Sequence, residues 1–179
     1  IHVPDLAFDH DLQYPDGVAL IKSLQKSAEK TGVEFNIKLT NTLETENDEQ
    51  ELPDNEQMVY MSGRALHPIS INLARRLQDE FQGSLDISFS AGTSYENIAN
   101  TLACNLKPIT TCSDLLKPGG YGRLSQYLES LHAAFSASGV KSIEDFIVAK
   151  SGKKQNVTQA GWENLQKYAG SVVDDGSLE

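Results

Sequence analysis

Four short polar stretches could together bind an anion, because each carries small residues or a lysine at the end of an apolar run. They are Lys38, Ser62-Gly63, Ala91-Gly92 and the segment CSDLLKPGGYGRL, Cys112 to Leu124. Glycines let the backbone approach a ligand, and the first N–H groups of a following helix attract negative charge. An aspartate in the last segment, Asp114, would oppose a bound phosphate by on the order of 1 kcal/mol or more.

Apolar runs that precede these stretches have the pattern of β-strands. Val33–Thr40 and Leu85–Ser90 alternate apolar with polar residues, and Met58–Gly63 and Pro108–Cys112 are short apolar runs. Alternation with period two is typical of strands. We therefore expect four strands, each ending at one of the polar stretches.

Segments with apolar residues at helical spacing lie before, between and after these strands. Such spacing covers Asp16–Lys30, which ends before Gly32, and then the segments Pro68–Phe81, Thr93–Leu106 and Tyr121–Phe135. Thr93 and Glu96 are suited to a capping box for the third helix. Strands that alternate with helices predict an α/β fold with a parallel sheet, right-handed crossovers and ligands at the carboxyl ends of the strands.

After Ser138 the chain changes character. The segments SIEDFIVAK and TQAGWENLQKYAG predict two short helices joined by a Gly/Lys-rich link. We therefore divide the sequence into residues 1–137, which hold the strand-and-helix units, and residues 138–179, a helical extension or linker toward another domain. The chain opens on Ile1 rather than Met, and we expect it to be a piece of a longer protein.

Metal binding is a weak interpretation at two places. Glu44–Gln57 is rich in carboxylates but lacks the spaced ligands of a calcium loop, so we expect a solvated excursion. His2 and His10 lie near Asp9 and Asp11, but such residues are common at an exposed terminus. We predict no metal site.

Charge and cysteine content exclude several function classes. Of 179 residues, 25 are acidic and 15 basic, which gives a net charge of -10 and disfavours binding to nucleic acid or to an anionic membrane. Cys104 and Cys112 are too few for an iron–sulfur cluster and predict reduced thiols. No stretch is long and apolar enough to span a bilayer, so we expect the cytoplasm.

The polar stretches also match a known pattern. KLT, then SGRALHP, then a turn with Gly92 and a final strand ending in Cys-Ser resemble the C-terminal half of the flavin-binding dihydroorotate dehydrogenase barrel, over roughly Glu34–Leu131. HDLQYPDGV, KLTNTLE, VYMSGRALHP, ISFSAG and above all CSDLLKPGGYGRLSQYLE resemble the putative selenate reductase iron-sulfur subunit family. The long last motif is the most specific of these.

This resemblance implies a partial (β/α)8 TIM-type barrel with parallel strands, crossover helices and further C-terminal helices. It also implies a longer oxidoreductase with iron–sulfur clusters, FAD and NAD(P) in other parts, whose domains or subunits would be this chain's partners. In the related barrels a lysine contacts the flavin ring and backbone turns hold its phosphate. Carried onto this chain, the FMN-binding residues would be Lys38, Ser62, Gly63, Ala91, Gly92, Cys112 and Ser113.

Two departures from the flavin pattern matter. Ala91-Gly92 stands where the flavin family has Gly-Gly, and one acidic loop stands between Thr40 and Met58 where a full βα unit is expected. Arg64, His67 and Arg123 could each meet an anion or make a structural contact, and for Arg123 that contact would be Asp114. We expect no catalytic residue in this chain, and the alternative functions are a cofactor-free scaffold or a small anion-binding module.

Overall fold

A computed structural model of the chain describes residues 2–40, 42–48, 52, 53 and 55–173. It contains two compact units. The first comprises Ile1–Phe35 and Asn41–Ser62, and the second comprises Asn36–Thr40 and Gly63–Glu179. The predicted domain boundary after residue 137 stays a prediction.

The first unit contains a long helix, α1 (Tyr14–Thr31), and two strands, β2 (Leu43–Glu46) and β3 (Met58–Met61). Helix α1 confirms the periodicity prediction and ends at Gly32, whose φ of 68° provides the left-handed turn that terminates many helices. Its buried side chains are Val18 and Ala28.

The two strands of the first unit correct two predictions. Strands β2 and β3 pair antiparallel, with Leu43 opposite Met61 and Thr45 opposite Val59, so β3 does not belong to the parallel sheet. Part of the acidic segment is a strand rather than a solvated excursion, because Thr45 is buried between Glu44 and Glu46. Residues 49–51 and 54 of that segment lie outside the described residues.

The second unit contains the parallel strands β1 (Ile37–Leu39) and β4 (Ile87–Phe89). Lys38 pairs in register with Ser88, and a single parallel bridge joins Phe89 to Ile109. The predicted strands Val33–Thr40 and Pro108–Cys112 are thus much shorter in the structure. A strand extends only as far as its ladder partners, and residues 33–36 have none among the described residues.

Five α-helices are found among the described residues of the second unit. They are α2 (Leu66–Glu80), α3 (Ile98–Ala103), α4 (Leu124–Ser138), α5 (Ile143–Ser151) and α6 (Val157–Ser171). The largest fully buried side chains of this unit include Phe89, Phe146, Ile71, Ile87, Leu106 and Leu165. The α/β architecture with a parallel pair and crossover helices therefore agrees with the prediction, although only part of a barrel's strands is found.

Two helices begin at a residue whose side chain caps them. Ser142 caps α5 by accepting the N–H of Asp145 at 3.1 Å, and Asn156 caps α6 by accepting the N–H of Gln159 at 2.8 Å. The capping box predicted from Thr93 was wrong, since α3 begins only at Ile98. There the Asn97 side chain accepts the N–H of Ser94 at 2.9 Å and closes a turn before the helix.

Candidate functional site

Three of the predicted turns meet in the second unit. A side-chain carbon placed on Gly92 would lie 2.3 Å from the carbonyl oxygen of Gly63, and one placed on Gly63 would lie 3.6 Å from the Cβ of Ser113. Both glycines have positive φ, 55° for Gly92 and 76° for Gly63. The backbones of Gly63 and Gly92 are thus in direct contact, and the side chain of Ser113 lies beside Gly63.

The closeness of Gly92 and Gly63 bears on whether a phosphate fits. Gly92 lacks a side chain where the backbone of Gly63 and Arg64 approaches it, so this space is filled by the chain's own atoms. The nearest of those atoms is a carbonyl oxygen, whose partial negative charge repels a phosphate. On this side of the turn the residues do not fit a phosphate group.

Lys38 lies on strand β1 with its side chain exposed. Its neighbours along the strand, Ile37 and Leu39, pair with the buried Ile87 and Phe89, and Phe89 contacts the ring of His67 on α2. Because side chains alternate along a strand, Lys38 belongs to the face opposite these helix-covered residues. The side chain of Lys38 makes no hydrogen bond or ion pair within the described part of the chain, so its ammonium group is available to a ligand.

The remaining predicted binding residues differ in their surroundings. Ala91 is buried and its carbonyl oxygen accepts a hydrogen bond from Nδ1 of His67 at 2.8 Å. Cys112 is an exposed free thiol directly before a 3-10 turn, Ser113–Leu116. Ser62 is the last residue of the first unit. Their proposed role in binding FMN stays a prediction.

Arg64 and His67 both have structural partners. Arg64 pairs with the carboxylate of Glu96. His67 is completely buried and has the structural contacts that were one of its two predicted alternatives. With its proton on Nδ1 facing Ala91, Nε2 accepts a hydrogen bond from the hydroxyl of Tyr168 at 2.8 Å. His67 therefore links the Ala91-Gly92 turn to helix α6.

Asp114 is turned inward, and its carboxylate is the most heavily bonded group of the last turn. Burial raises the pKa of Asp114, but hydrogen bonds from Arg123, Tyr127 and Lys117 outweigh this effect and hold it below its usual value. The side chain is only 5% exposed. The alternative in which Arg123 pairs with Asp114 is confirmed, at 3.1 Å from Nε to Oδ2 and 3.0 Å from Nη2 to Oδ1.

Tyr127 is the site residue that sequence reasoning missed. Its hydroxyl lies 3.0 Å from Oδ2 of Asp114, 2.8 Å from the carbonyl oxygen of Thr93 and 3.1 Å from Oγ1 of Thr111. Burial raises the pKa of Tyr127 to about 12, so the phenol remains a donor at neutral pH. A tyrosine one position off the apolar stripe of α4 was the only available signal.

The described residues show neither a metal-binding cluster nor a membrane-spanning helix. Among them, no cluster of three or more His, Cys, Asp or Glu side chains is arranged to hold a metal ion. None of their helices combines the length and the apolar character needed to cross a bilayer.

Comparisons with known proteins identify the family. A family model described as "Oxidoreductase YgfK, N-terminal TIM-barrel domain" matches residues 1–166. The proteins named "Putative oxidoreductase YgfK" from Escherichia coli strains K12 and O157:H7 are each 42% identical over 134 residues, which is 75% of this chain. The aligned region is 13% of the length of either relative. No solved structure matches the chain.

The family model covers most of the chain, including the strands, the turns and α2–α5. The family model agrees with the barrel resemblance. These matches do not show a relationship to selenate reductase. The chain therefore belongs to the family of the oxidoreductase YgfK N-terminal TIM-barrel domain.

Proposed function

We propose that this chain is a scaffold part of the TIM-barrel domain of a larger oxidoreductase, and that it docks through helix α4 onto another segment of the same polypeptide. The observation that carries the proposal is an uncovered apolar surface, formed by Tyr121, Leu124 and Leu128 and called here the α4 stripe. Tyr121 is 82% exposed and Leu128 59% exposed.

The α4 stripe continues a helix face that is packed elsewhere. Leu131 and Phe135, on the same face as Leu124 and Leu128, pack against a core cluster around Phe146. Phe135 stacks on the Phe146 ring with centroids 4.6 Å apart. Exposed apolar surface that is contiguous with a core is typical of an interface, so the amino-terminal half of α4 is suited to a partner element.

The identity of the partner follows from the extent of the chain. The aligned part of the chain covers 13% of the length of the YgfK relatives, and the matching family model describes a barrel domain. The described parallel sheet consists of β1, β4 and a bridge at Ile109. A closed barrel needs further strands at both edges of such a sheet, and those strands bring helices that pack beside α4.

Hydrogen exchange tests the docking. In the longer protein the amides of Leu124 to Leu131 are expected to exchange more slowly than in this chain alone, while those of α6 remain unchanged. Leu124→Lys with Leu128→Lys should be tolerated by the isolated chain and should destabilise the longer protein. Gln126→Lys, an exposed neighbour, is the matched control. Equal protection of α4 in both proteins would refute docking.

The rival function is the FMN-type site predicted from the resemblance. The exposed and unpaired Lys38 favours it, whereas the filled space at Gly92 and the occupied cations at Asp114 oppose it. A flavin would supply redox chemistry, and iron–sulfur clusters, FAD and NAD(P) would belong to other parts of a selenate reductase-like protein. Visible absorbance that survives dialysis of a complete barrel, and disappears with Lys38→Ala but not Lys141→Ala, would establish the flavin site.

A further inference from the structure

The carboxylate of Asp114 is surrounded by donors on both oxygens. Oδ2 accepts from Nε of Arg123 and from the Tyr127 hydroxyl, at 3.1 and 3.0 Å. Oδ1 lies 3.0 Å from Nη2 of Arg123 and 3.3 Å from Nζ of Lys117. A carboxylate offers about four lone-pair positions, so this one is fully satisfied. We call Arg123, Lys117 and Tyr127 the oxyanion cage.

The donors of the oxyanion cage carry more positive charge than one carboxylate neutralises, and they are suited to a small oxyanion. A guanidinium fork, an ammonium group and a phenol are groups that bind phosphate, and the fork matches two oxygens of such an ion. Two cations face one carboxylate, which leaves an excess of one positive charge. A phosphate dianion would balance the charge of Arg123 and Lys117.

The oxyanion cage has supports other than Asp114. The Tyr127 hydroxyl also lies 2.8 Å from the carbonyl oxygen of Thr93, so its single proton is shared between that oxygen and Oδ2 of Asp114, and both contacts position the phenol. Gly119, with φ of 102°, lets the loop pack against the stem of Arg123, since a side-chain carbon there would lie 3.2 Å from Cγ. These contacts predict that Arg123 and Tyr127 keep their positions when the Asp114 carboxylate is removed.

An unsatisfied polar group lies in the turn after β4, on the residue whose carbonyl oxygen contacts the Tyr127 hydroxyl. The hydroxyl oxygen of Thr93 is buried and has no hydrogen-bond partner among the described residues, and the residue as a whole is 3% exposed. A buried hydroxyl without a hydrogen-bond partner is destabilising. The carbonyl oxygen of Thr93 is bonded to Tyr127, so this unsatisfied hydroxyl belongs to the residue that supports the cage.

We propose that the last turn is a small-oxyanion site whose ligand is the chain's own Asp114 carboxylate, so that external phosphate is excluded there unless Asp114 is removed. This goes beyond the scaffold function, since it concerns what occupies the turn and not what covers helix α4. Its test uses this chain alone, so the docking proposal can fail without affecting it.

The experiment measures unfolding midpoints of the chain in sodium phosphate, sodium formate and sodium chloride at equal ionic strength. In the wild type the salts should differ only by the general stabilising effect of phosphate, which grows without saturation and serves as the baseline. Asp114→Ala should have a lower midpoint in chloride and should regain it saturably in phosphate and formate. At ten times the Kd the gain should be about 3–6 °C.

Two further variants identify the site. Asp114→Asn fills the oxyanion cage with a neutral amide and should not respond to phosphate. Asp114→Ala combined with Arg123→Gln should lose the response, because the guanidinium fork is gone. If Asp114→Ala does not fold in chloride, the proposal predicts that phosphate restores refolding, and failure to do so counts against it.

Two results would overturn the proposal. One is a midpoint of Asp114→Ala that does not distinguish phosphate from chloride. The other is a wild-type response to phosphate that equals that of Asp114→Ala, because phosphate would then bind outside the oxyanion cage.

Discussion

The carboxylate of Asp114 is held side-on by the guanidinium of Arg123 through two hydrogen bonds of 3.1 and 3.0 Å. The two residues are nine positions apart and belong to consecutive 3-10 turns, Ser113–Leu116 and Gly120–Arg123. Because the aspartate is buried and paired, it neither points into solvent nor lies free beside a neighbouring turn. It closes the last turn from within.

Replacing Asp114 by Asn should reveal this pair in the pH dependence of stability. The pKa of Asp114 is lowered in the folded state, so its contribution is complete above the unfolded pKa of about 3.9 and is lost as the pH falls through the folded value. We expect Asp114→Asn to lower the free energy of unfolding by about 2–3 kcal/mol at pH 7, measured by urea denaturation.

That difference should shrink below about pH 4, close to the pKa of an ordinary carboxyl group. It should be constant between about pH 6 and 8, where the carboxylate stays ionised. Asp86→Asn is the control, because Asp86 is exposed in the same unit. A loss for Asp114→Asn no larger than that of Asp86→Asn would show that the pair contributes nothing.

Replacing Gly92 by Ala should be much more harmful than replacing Gly120 by Ala. Both glycines have similar positive φ, 55° and 49°, so both variants incur about 1–2 kcal/mol for the left-handed conformation. Only at Gly92 does the new carbon meet backbone, whereas nothing lies within 4 Å at Gly120. We expect a further loss of about 1–3 kcal/mol for Gly92→Ala in urea unfolding. Equal losses would contradict the close contact with Gly63.

Replacing Tyr168 by Phe should destabilise the second unit by about 1–3 kcal/mol, because Nε2 of the buried His67 loses the hydroxyl bonded to it at 2.8 Å. Tyr121→Phe is a matched control, since Tyr121 is 82% exposed and the change should stay within about 0.5 kcal/mol. Equilibrium unfolding of both variants gives the comparison. Coincident unfolding curves would argue against the link between α6 and the Ala91 turn.

The two thiols should differ sharply in reactivity. Cys112 is exposed, whereas burial of Cys104 raises the pKa of its thiol and keeps it protonated. A colorimetric disulfide reagent should therefore label Cys112 rapidly in the native chain and Cys104 only after unfolding. Cys112→Ser should remove the fast phase and Cys104→Ser should retain it. Rapid labelling of both thiols in the native chain would show that Cys104 is accessible.

The local sequence predicted those elements whose signals lie within a few residues. The apolar spacing of α1 and the glycine after it act through contacts three or four positions away. The motifs around Lys38 and Cys112–Leu124 also led to the barrel resemblance, which the family match supports. Such signals need no knowledge of the rest of the fold.

Tertiary structure alone decided the direction of pairing and the orientation of side chains. Strand β3 pairs antiparallel with β2 rather than joining β1, and His67 is buried against Tyr168, 101 positions away in the sequence. The periodicity of a strand gives its two faces but not its neighbour, and a polar residue does not specify its distant partner. For the same reason the sequence identified Asp114 as unusual, and only the folded turn showed that Arg123, Lys117 and Tyr127 enclose it.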